Sequence, residues 1–253
     1  PTVVVITLRG GTNDLNVNRV TTQLRQAREN PIVEAVVLRI DSPGGPVDSS
    51  EELYLAVSRT ANELPVVAYV EGLAASGGYY GIAPADGIVV KPSSTVGSIG
   101  VIVQAPLSAV EDAERQRGTF LRTGPDKAQI TVDGIREELE LLQRAFVSTI
   151  MTHRGDELTL SRDEVANADT YLGPEAVENG FADRIGDLES AIQRAAEAVD
   201  GIEGDSYDVE YLRTTPGVGG PGAIIKGEIQ RVDGNVVYVT TERQEFVRPV
   251  RYW

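Results

Sequence analysis

Residues 35–47 read Ala-Val-Val-Leu-Arg-Ile-Asp-Ser-Pro-Gly-Gly-Pro-Val. The first six make an apolar run of strand length, interrupted only by Arg39. A strand with so little alternation is buried on both faces. Pro43-Gly44-Gly45 then forces a turn, and a helical pattern follows over 49–63. The same rhythm repeats on either side. Strand-like runs occur at 2–8, 35–40, 65–70, 87–90 and 99–103, and helical segments at 17–30, at 49–63 and opening near Ser76. Strands alternating with helices predict an α/β fold with a mostly parallel sheet and right-handed crossovers.

Residues 134–153 form the longest helix candidate, with Ile135, Leu139, Leu142, Phe146 and Ile150 on one face. Ser161 and Glu164 fit a capping box, Pro174 opens a segment over 174–179, and another helix is expected over 188–199. After about Gly201 the texture changes to Gly, Asp and Pro. Two strand-like runs flank Asp233-Gly234, a hairpin signal over 223–241, and one more strand is expected over 245–253. The expected division is a catalytic-size unit over 1–200 and a Gly-rich linker with a small C-terminal β appendage over 201–253.

Composition narrows the chemistry. The chain has 253 residues, of which 41% are hydrophobic and 24% charged, as in an ordinary globular protein. It has no cysteine, which excludes disulfides, thiol catalysis and Cys-ligated metal. With one histidine, His153, a His-cluster metal site is excluded, and a Ser-His-Asp triad would have to use that residue. No metal and no cofactor is expected. Lys and Arg number 23 against 38 Asp and Glu, so the net charge is −15. This argues against nucleic acid and anionic membrane surfaces as partners. Only Lys91, Lys127 and Lys226 are lysines. An acidic, Lys-poor surface reads as adaptation to high salt; a merely acidic, soluble surface is the plainer alternative. No apolar run approaches the ~18 residues of a transmembrane helix. A strand begins directly after Pro1, which reads as a trimmed or processed chain.

Four stretches could carry chemistry. Gly44 and Gly45 end a strand where backbone N–H groups could meet a developing oxyanion, although taken alone the stretch reads more simply as a sharp turn. In Ala74-Ala-Ser-Gly-Gly-Tyr-Tyr80, Ser76 stands at a helix start between small residues. Nucleophile and helix cap are both open readings there. Ser98, in Gly97-Ser-Ile-Gly100, could bond a neutral lysine or be a satisfied core hydroxyl. A serine nucleophile needs a base. His153 has the look of a C-terminal helix residue favoured by the dipole, Lys91 and Lys226 of surface residues, and Lys127 of a loop lysine. A lysine base must be neutral near pH 7, which burial can achieve. No P-loop or dinucleotide fingerprint is present.

In this order, Arg39-Ile-Asp-Ser-Pro-Gly-Gly45, Ala74-Ala-Ser-Gly-Gly-Tyr-Tyr80, Gly97-Ser-Ile-Gly-Val101 and Thr123-Gly-Pro-Asp-Lys127 resemble the signal peptide peptidase A family. So does Ala176-Val-Glu-Asn-Gly-Phe-Ala-Asp-Arg-Ile-Gly186, and the resemblance covers about residues 2–197. It implies the ClpP/crotonase-like fold, a repeated β-β-α superhelix. It implies a Ser/Lys dyad of Ser76 and Lys127, with Ser98 orienting the lysine and Gly44, Gly45 and Gly77 forming the oxyanion hole. It also implies hydrophobic, signal-peptide-like substrates, a homo-oligomeric ring with shared sites, a membrane anchor upstream of Pro1, and a catalytic domain outside the cytoplasm. A crotonase-type acyl-CoA enzyme and a catalytically silent binding ring are the competing expectations.

Overall fold

The apolar run at the N-terminus forms β1 (Thr2–Arg9), and both of its faces are covered. Val4, Ile6 and Leu8 face one layer of helices while Val3 and Val5 face another. A computed structural model describes residues 1–103, 106–116, 121, 123–124, 127, 131–199 and 206–212, and the backbone of 227–232 and 235–240. The chain continues through α1 (Asp14–Glu29), β2 (Val33–Ser42), α2 (Val47–Ala61), β3 (Val66–Ala75), α3 (Gly77–Ile82), β4 (Gly87–Val90) and β5 (Thr95–Gly97). Then come α4 (Leu107–Gln116), α5 (Val132–Arg154), α6 (Arg162–Val165), β6 (Thr170–Leu172), α7 (Gly173–Glu178), β7 (Arg184–Ile185), α8 (Leu188–Glu197) and β8 (Asp208–Leu212). A separate antiparallel pair, β9 (Gly227–Val232) and β10 (Asn235–Thr240), is the hairpin expected around Asp233-Gly234.

The main sheet runs β6-β5-β3-β2-β1-β8, and every pairing except β5 with β6 is parallel. The mixed α/β, mostly parallel expectation holds. One strand organises it. Along one edge β3 pairs with β2; along the other, Val67–Val70 pairs with β4 and Leu73–Ala75 with β5. At the branch the Asp41 carboxylate accepts the Leu73 N–H at 3.1 Å, satisfying a backbone donor where the ladder changes partner. The upper half of β3 thereby leads its C-terminal end toward β5.

On one face, α1, α2, α3 and α5 bury Val20, Leu24, Leu53, Tyr79, Ile82 and Ile150 against the even-numbered side chains of β1 and β2. On the other, α8 lays Ala191, Ala195 and Ala196 against Val3, Val5, Val37 and Val67. Alanines at this contact keep the helix close to the sheet. Caps fix the helix starts: Asn13 accepts from Asn16 N–H at 3.1 Å, and Ser161 with Glu164 forms the expected capping box.

Two expectations need correction. Residues 99–103 do not form a strand. β5 ends at Gly97 because Ser98 takes a left-handed backbone (φ 57°), which turns the chain out of the sheet. The helix α4 gave no clear sequence signal. Asp208–Leu212, read as linker, is a strand, because the free edge of β1 accepts it in parallel from Thr2 to Ile6. The expected strand at 245–253 lies outside the described residues.

Arg9, Arg39 and Glu71 tie together β1, β2 and β3. Glu71 accepts from both guanidiniums, including Arg39 Nε–H at 3.1 Å. The hydrogen bond from Arg39 is the largest cause holding the Glu71 carboxyl at about 2, below its ordinary 4.5. A lowered folded-state value stabilises above the ordinary range, and the effect fades as acid protonates the folded carboxylate. Glu71→Gln is therefore expected to lower stability by about 1 kcal/mol at neutral pH, since the cluster is partly exposed. In denaturant titrations, the gap between wild type and variant should close between pH 4.5 and about 2; a gap independent of pH contradicts this role.

Candidate active site

The end of β3 and the start of α3 are joined by one residue, Ser76 (φ 50°, ψ −125°). A non-glycine residue there costs on the order of 1–3 kcal/mol and persists only where its surroundings over-determine it. They do so here. The Ser76 N–H donates to the Gly97 carbonyl at 2.9 Å, and its own carbonyl accepts from Tyr80 N–H at 2.9 Å. Its side chain makes no capping bond to α3, which removes the helix-cap reading. The hydroxyl instead points at the Gly100 carbonyl, at 3.4 Å. A long, single hydrogen bond leaves it available for another partner.

The Pro43–Pro46 loop closes over this serine. Gly44 has φ +93°, and a Cβ there would sit 2.7 Å from Gly77 N and 3.0 Å from Ser76 Cβ. No other residue type fits. The Gly44 N–H donates to Ser42 Oγ at 3.2 Å, while its carbonyl accepts from Thr12 N–H at 3.0 Å. The N–H groups of Gly45 and Gly77 have no acceptor among the described residues, so both can serve an incoming oxygen. Gly77 is pressed against α2, with Ser50 Oγ only 2.1 Å from where its Cβ would lie. Ser50 is fixed in turn by the Pro46 carbonyl at 2.7 Å and by the Thr12 hydroxyl at 2.8 Å. Thr12 and Ser50 were missed from sequence. Each is one small polar residue acting on a loop far along the chain, and no local pattern marks it.

These groups open into a cavity of about 770 Å³. Ser76, Ser98, Gly44, Gly45 and Gly77 all line it, together with Val47, Tyr80, Val101, Ile102, Leu142 and Phe146. Its wall is thus largely apolar, with Tyr80 and Phe146 packed edge to face at 5.0 Å. Among the described lining residues, Glu51 alone is charged.

The candidate bases are placed differently. Lys127 is exposed in a turn, its N–H 3.3 Å from the Gly124 carbonyl, and it is not among the cavity's lining residues. His153 sits in the last turn of α5, with Nε2 2.9 Å from the Tyr54 hydroxyl. Burial pushes its imidazole below the ordinary range, toward the neutral form. Neither His153 nor Lys91 lines the cavity, and Lys226 lies outside the described residues. No group of three potential metal ligands is assembled among the described residues. No helix among them is long and apolar enough to cross a membrane.

A family model for peptidase family S49 matches residues 58–201, a span that holds Ser76, Ser98 and Lys127. The chain belongs to peptidase family S49. It is 33% identical over 187 residues to Protease 4 of Salmonella typhi, covering 69% of this chain and 30% of that protein. It is 30% identical over 209 residues to an Enterococcus faecium protein carrying the name signal peptide peptidase SppA, covering 78% of this chain and 59% of that one. A third relative, the chloroplastic serine protease SPPA of Arabidopsis thaliana, is 30% identical over 191 residues, covering 69% of this chain and 27% of the plant protein. The chain therefore spans less than two thirds of each of these relatives. Among solved structures, a mutant of the membrane-bound stomatin-specific protease 1510-N superposes with a TM-score of 0.57 at 16% identity, covering 85% of this chain and 97% of that one. That likeness is one of fold, and it agrees with the expected ClpP/crotonase-like architecture of this S49 domain.

The Gly44 geometry makes a stability prediction. Gly44→Ala combines a left-handed backbone with a contact inside 3 Å. It should cost about 2–4 kcal/mol in chemical denaturation. A loss below about 0.5 kcal/mol contradicts the packing described here.

Proposed function

We propose that this S49 domain is a serine endopeptidase using a Ser76/Lys127 dyad. The observation that carries the reading is Ser76 itself, a strained, uncapped hydroxyl at the end of a buried strand, beside two open backbone amides. In the proposed reaction, Ser76 Oγ attacks the scissile carbonyl carbon and the neutral Lys127 amine takes its proton. The carbonyl oxygen becomes an oxyanion held by the Gly45 and Gly77 N–H groups. The carbon–nitrogen bond then breaks, with Lys127 returning the proton to the leaving amine. Water, activated by the same lysine, hydrolyses the acyl-enzyme and restores Ser76. Gly44 serves through its backbone conformation, since its N–H already has a partner in Ser42. One oxyanion donor is worth about 3 kcal/mol. Ser98, on the cavity wall, is the orienting partner for the lysine.

Lys127 is exposed in the single chain. A base must be shielded from water to lose its proton, so the reading favours a homo-oligomeric ring in which one protomer's Lys127 serves its neighbour's Ser76. The apolar wall of Tyr80, Phe146, Leu142 and Ile102 suits hydrophobic peptides, including remnant signal peptides at or near a membrane. A membrane-associated setting, with this domain outside the cytoplasm, fits such substrates. The acidic, Lys-poor surface fits work in concentrated salt. The family match favours peptide hydrolysis over acyl-CoA chemistry and over a silent binding ring.

Hydrolysis of a fluorogenic hydrophobic peptide in molar salt tests this. Ser76→Ala and Lys127→Ala should each lose activity by about a hundredfold or more. Mixing the two inactive variants should restore part of it if the dyad is shared between protomers. Activity unchanged in Ser76→Ala contradicts the assignment, and loss in Ser76→Ala alone sends the search for the base elsewhere. Equal activity and fold in dilute buffer contradict salt adaptation.

A further inference from the structure

Among the described residues, three that are not glycine adopt a left-handed backbone: Ser76, Ser98 and Ala168. All three line the same cavity. Ser76 is held by the β3–α3 junction, but Ser98 and Ala168 sit in loops, following β5 and α6. Loops do not keep such conformations unaided. The two loops brace each other, with Ser98 N–H donating to the Asp169 carbonyl at 2.8 Å. At Gly100 they approach so closely that a Cβ there would lie 2.9 Å from the Ala168 methyl.

A third element joins them. Gln143 on α5 donates through Nε2 to the Ile99 carbonyl at 2.8 Å and to the Ala166 carbonyl at 3.1 Å. Both amide hydrogens are used, one on each loop. The amide oxygen is buried and has no partner among the described residues. It cannot exchange places with the nitrogen, because it would then face two carbonyl oxygens. The arrangement leaves a buried acceptor unsatisfied in order to hold two carbonyls, which is costly unless their placement matters.

We propose that Gln143 is a positioning residue for the Ser76 site. By clamping the Ile99 and Ala166 carbonyls it fixes the 98–100 segment. That segment supplies the Gly100 carbonyl that receives the Ser76 hydroxyl, and the Ser98 side chain on the cavity wall. Gln143 touches neither reacting group and acts through the backbone it holds. The kinetic consequence rests on the peptidase reading; the clamp itself does not.

The test uses Gln143→Met, which keeps length and volume but has no donor, and Gln143→Glu, which keeps the shape and sets a carboxylate against the carbonyls. Gln193→Met, on the exposed face of α8, is the control. Two readouts are taken on folded protein: amide hydrogen exchange across 95–103, and steady-state hydrolysis of the hydrophobic peptide. Both Gln143 variants should exchange these amides about tenfold faster, and kcat should fall about tenfold with KM within about twofold. The control should change neither. Exchange within about twofold of wild type in both variants overturns the clamp. Faster exchange with kcat unchanged overturns the positioning role. A loss of kcat that only tracks the fraction unfolded does the same. If wild type shows no Ser76-dependent hydrolysis, the peptidase reading fails while the exchange arm still decides the clamp.

Discussion

The structure depends on a turn made by one residue. β3 is buried from Val66 to Val70, α3 buries Tyr79 and Ile82, and only Ser76 lies between them. A strand cannot pass into a helix that abruptly through ordinary backbone angles, so Ser76 takes a left-handed conformation. Everything needed to hold it there is visible. The Gly97 carbonyl takes its N–H, Gly44 fits against its Cβ, and α2 presses Ser50 against the helix start. The strain places a hydroxyl at the rim of the sheet, with the helix N-terminus and two open amides beside it.

That constraint explains the distribution of small residues. Gly44 and Gly77 are neighbours in space, each a site where a methyl group would meet backbone or Ser50. The same logic extends to the far wall, where Ser98 and Ala168 take left-handed angles of their own. The cavity is thus framed by three strained positions, one at the β3–α3 junction and two in separate loops. Its apolar side comes from α3 and α5 and is built from core-facing residues such as Tyr80 and Phe146 that continue to the surface.

Much of this was legible in the sequence. Continuous runs such as Val3–Ile6 and Val66–Val70 announce strands covered on both sides, and the 3.6-residue spacing of Ile135, Leu139, Leu142, Phe146 and Ile150 announces the long helix α5. The motif residues Ser76, Ser98, Gly44, Gly45 and Gly77 could be named, and all five line one cavity. What was not legible acts over distance or against local pattern. Residues 99–103 look like a strand because they are apolar, yet one backbone angle at Ser98 sends Ile102 and Val103 to the surface. β8 is five residues long and has meaning only beside the edge of β1. Thr12 meets Ser50 across 38 residues, and Gln143 reaches the Ile99 carbonyl across 44. Lys127 could be singled out from its motif, but nothing in the local sequence indicated that it would be exposed in a turn away from the cavity.

The central claim is that strain and packing make one hydroxyl, that of Ser76, the nucleophile. Reaction with a fluorophosphonate, followed by mass-spectrometric location of the adduct, tests it most directly. The account predicts a single adduct on Ser76, with Ser98 and Ser50 unmodified although both line the same cavity. An adduct on another serine, or none on a folded protein that hydrolyses peptide, would contradict it.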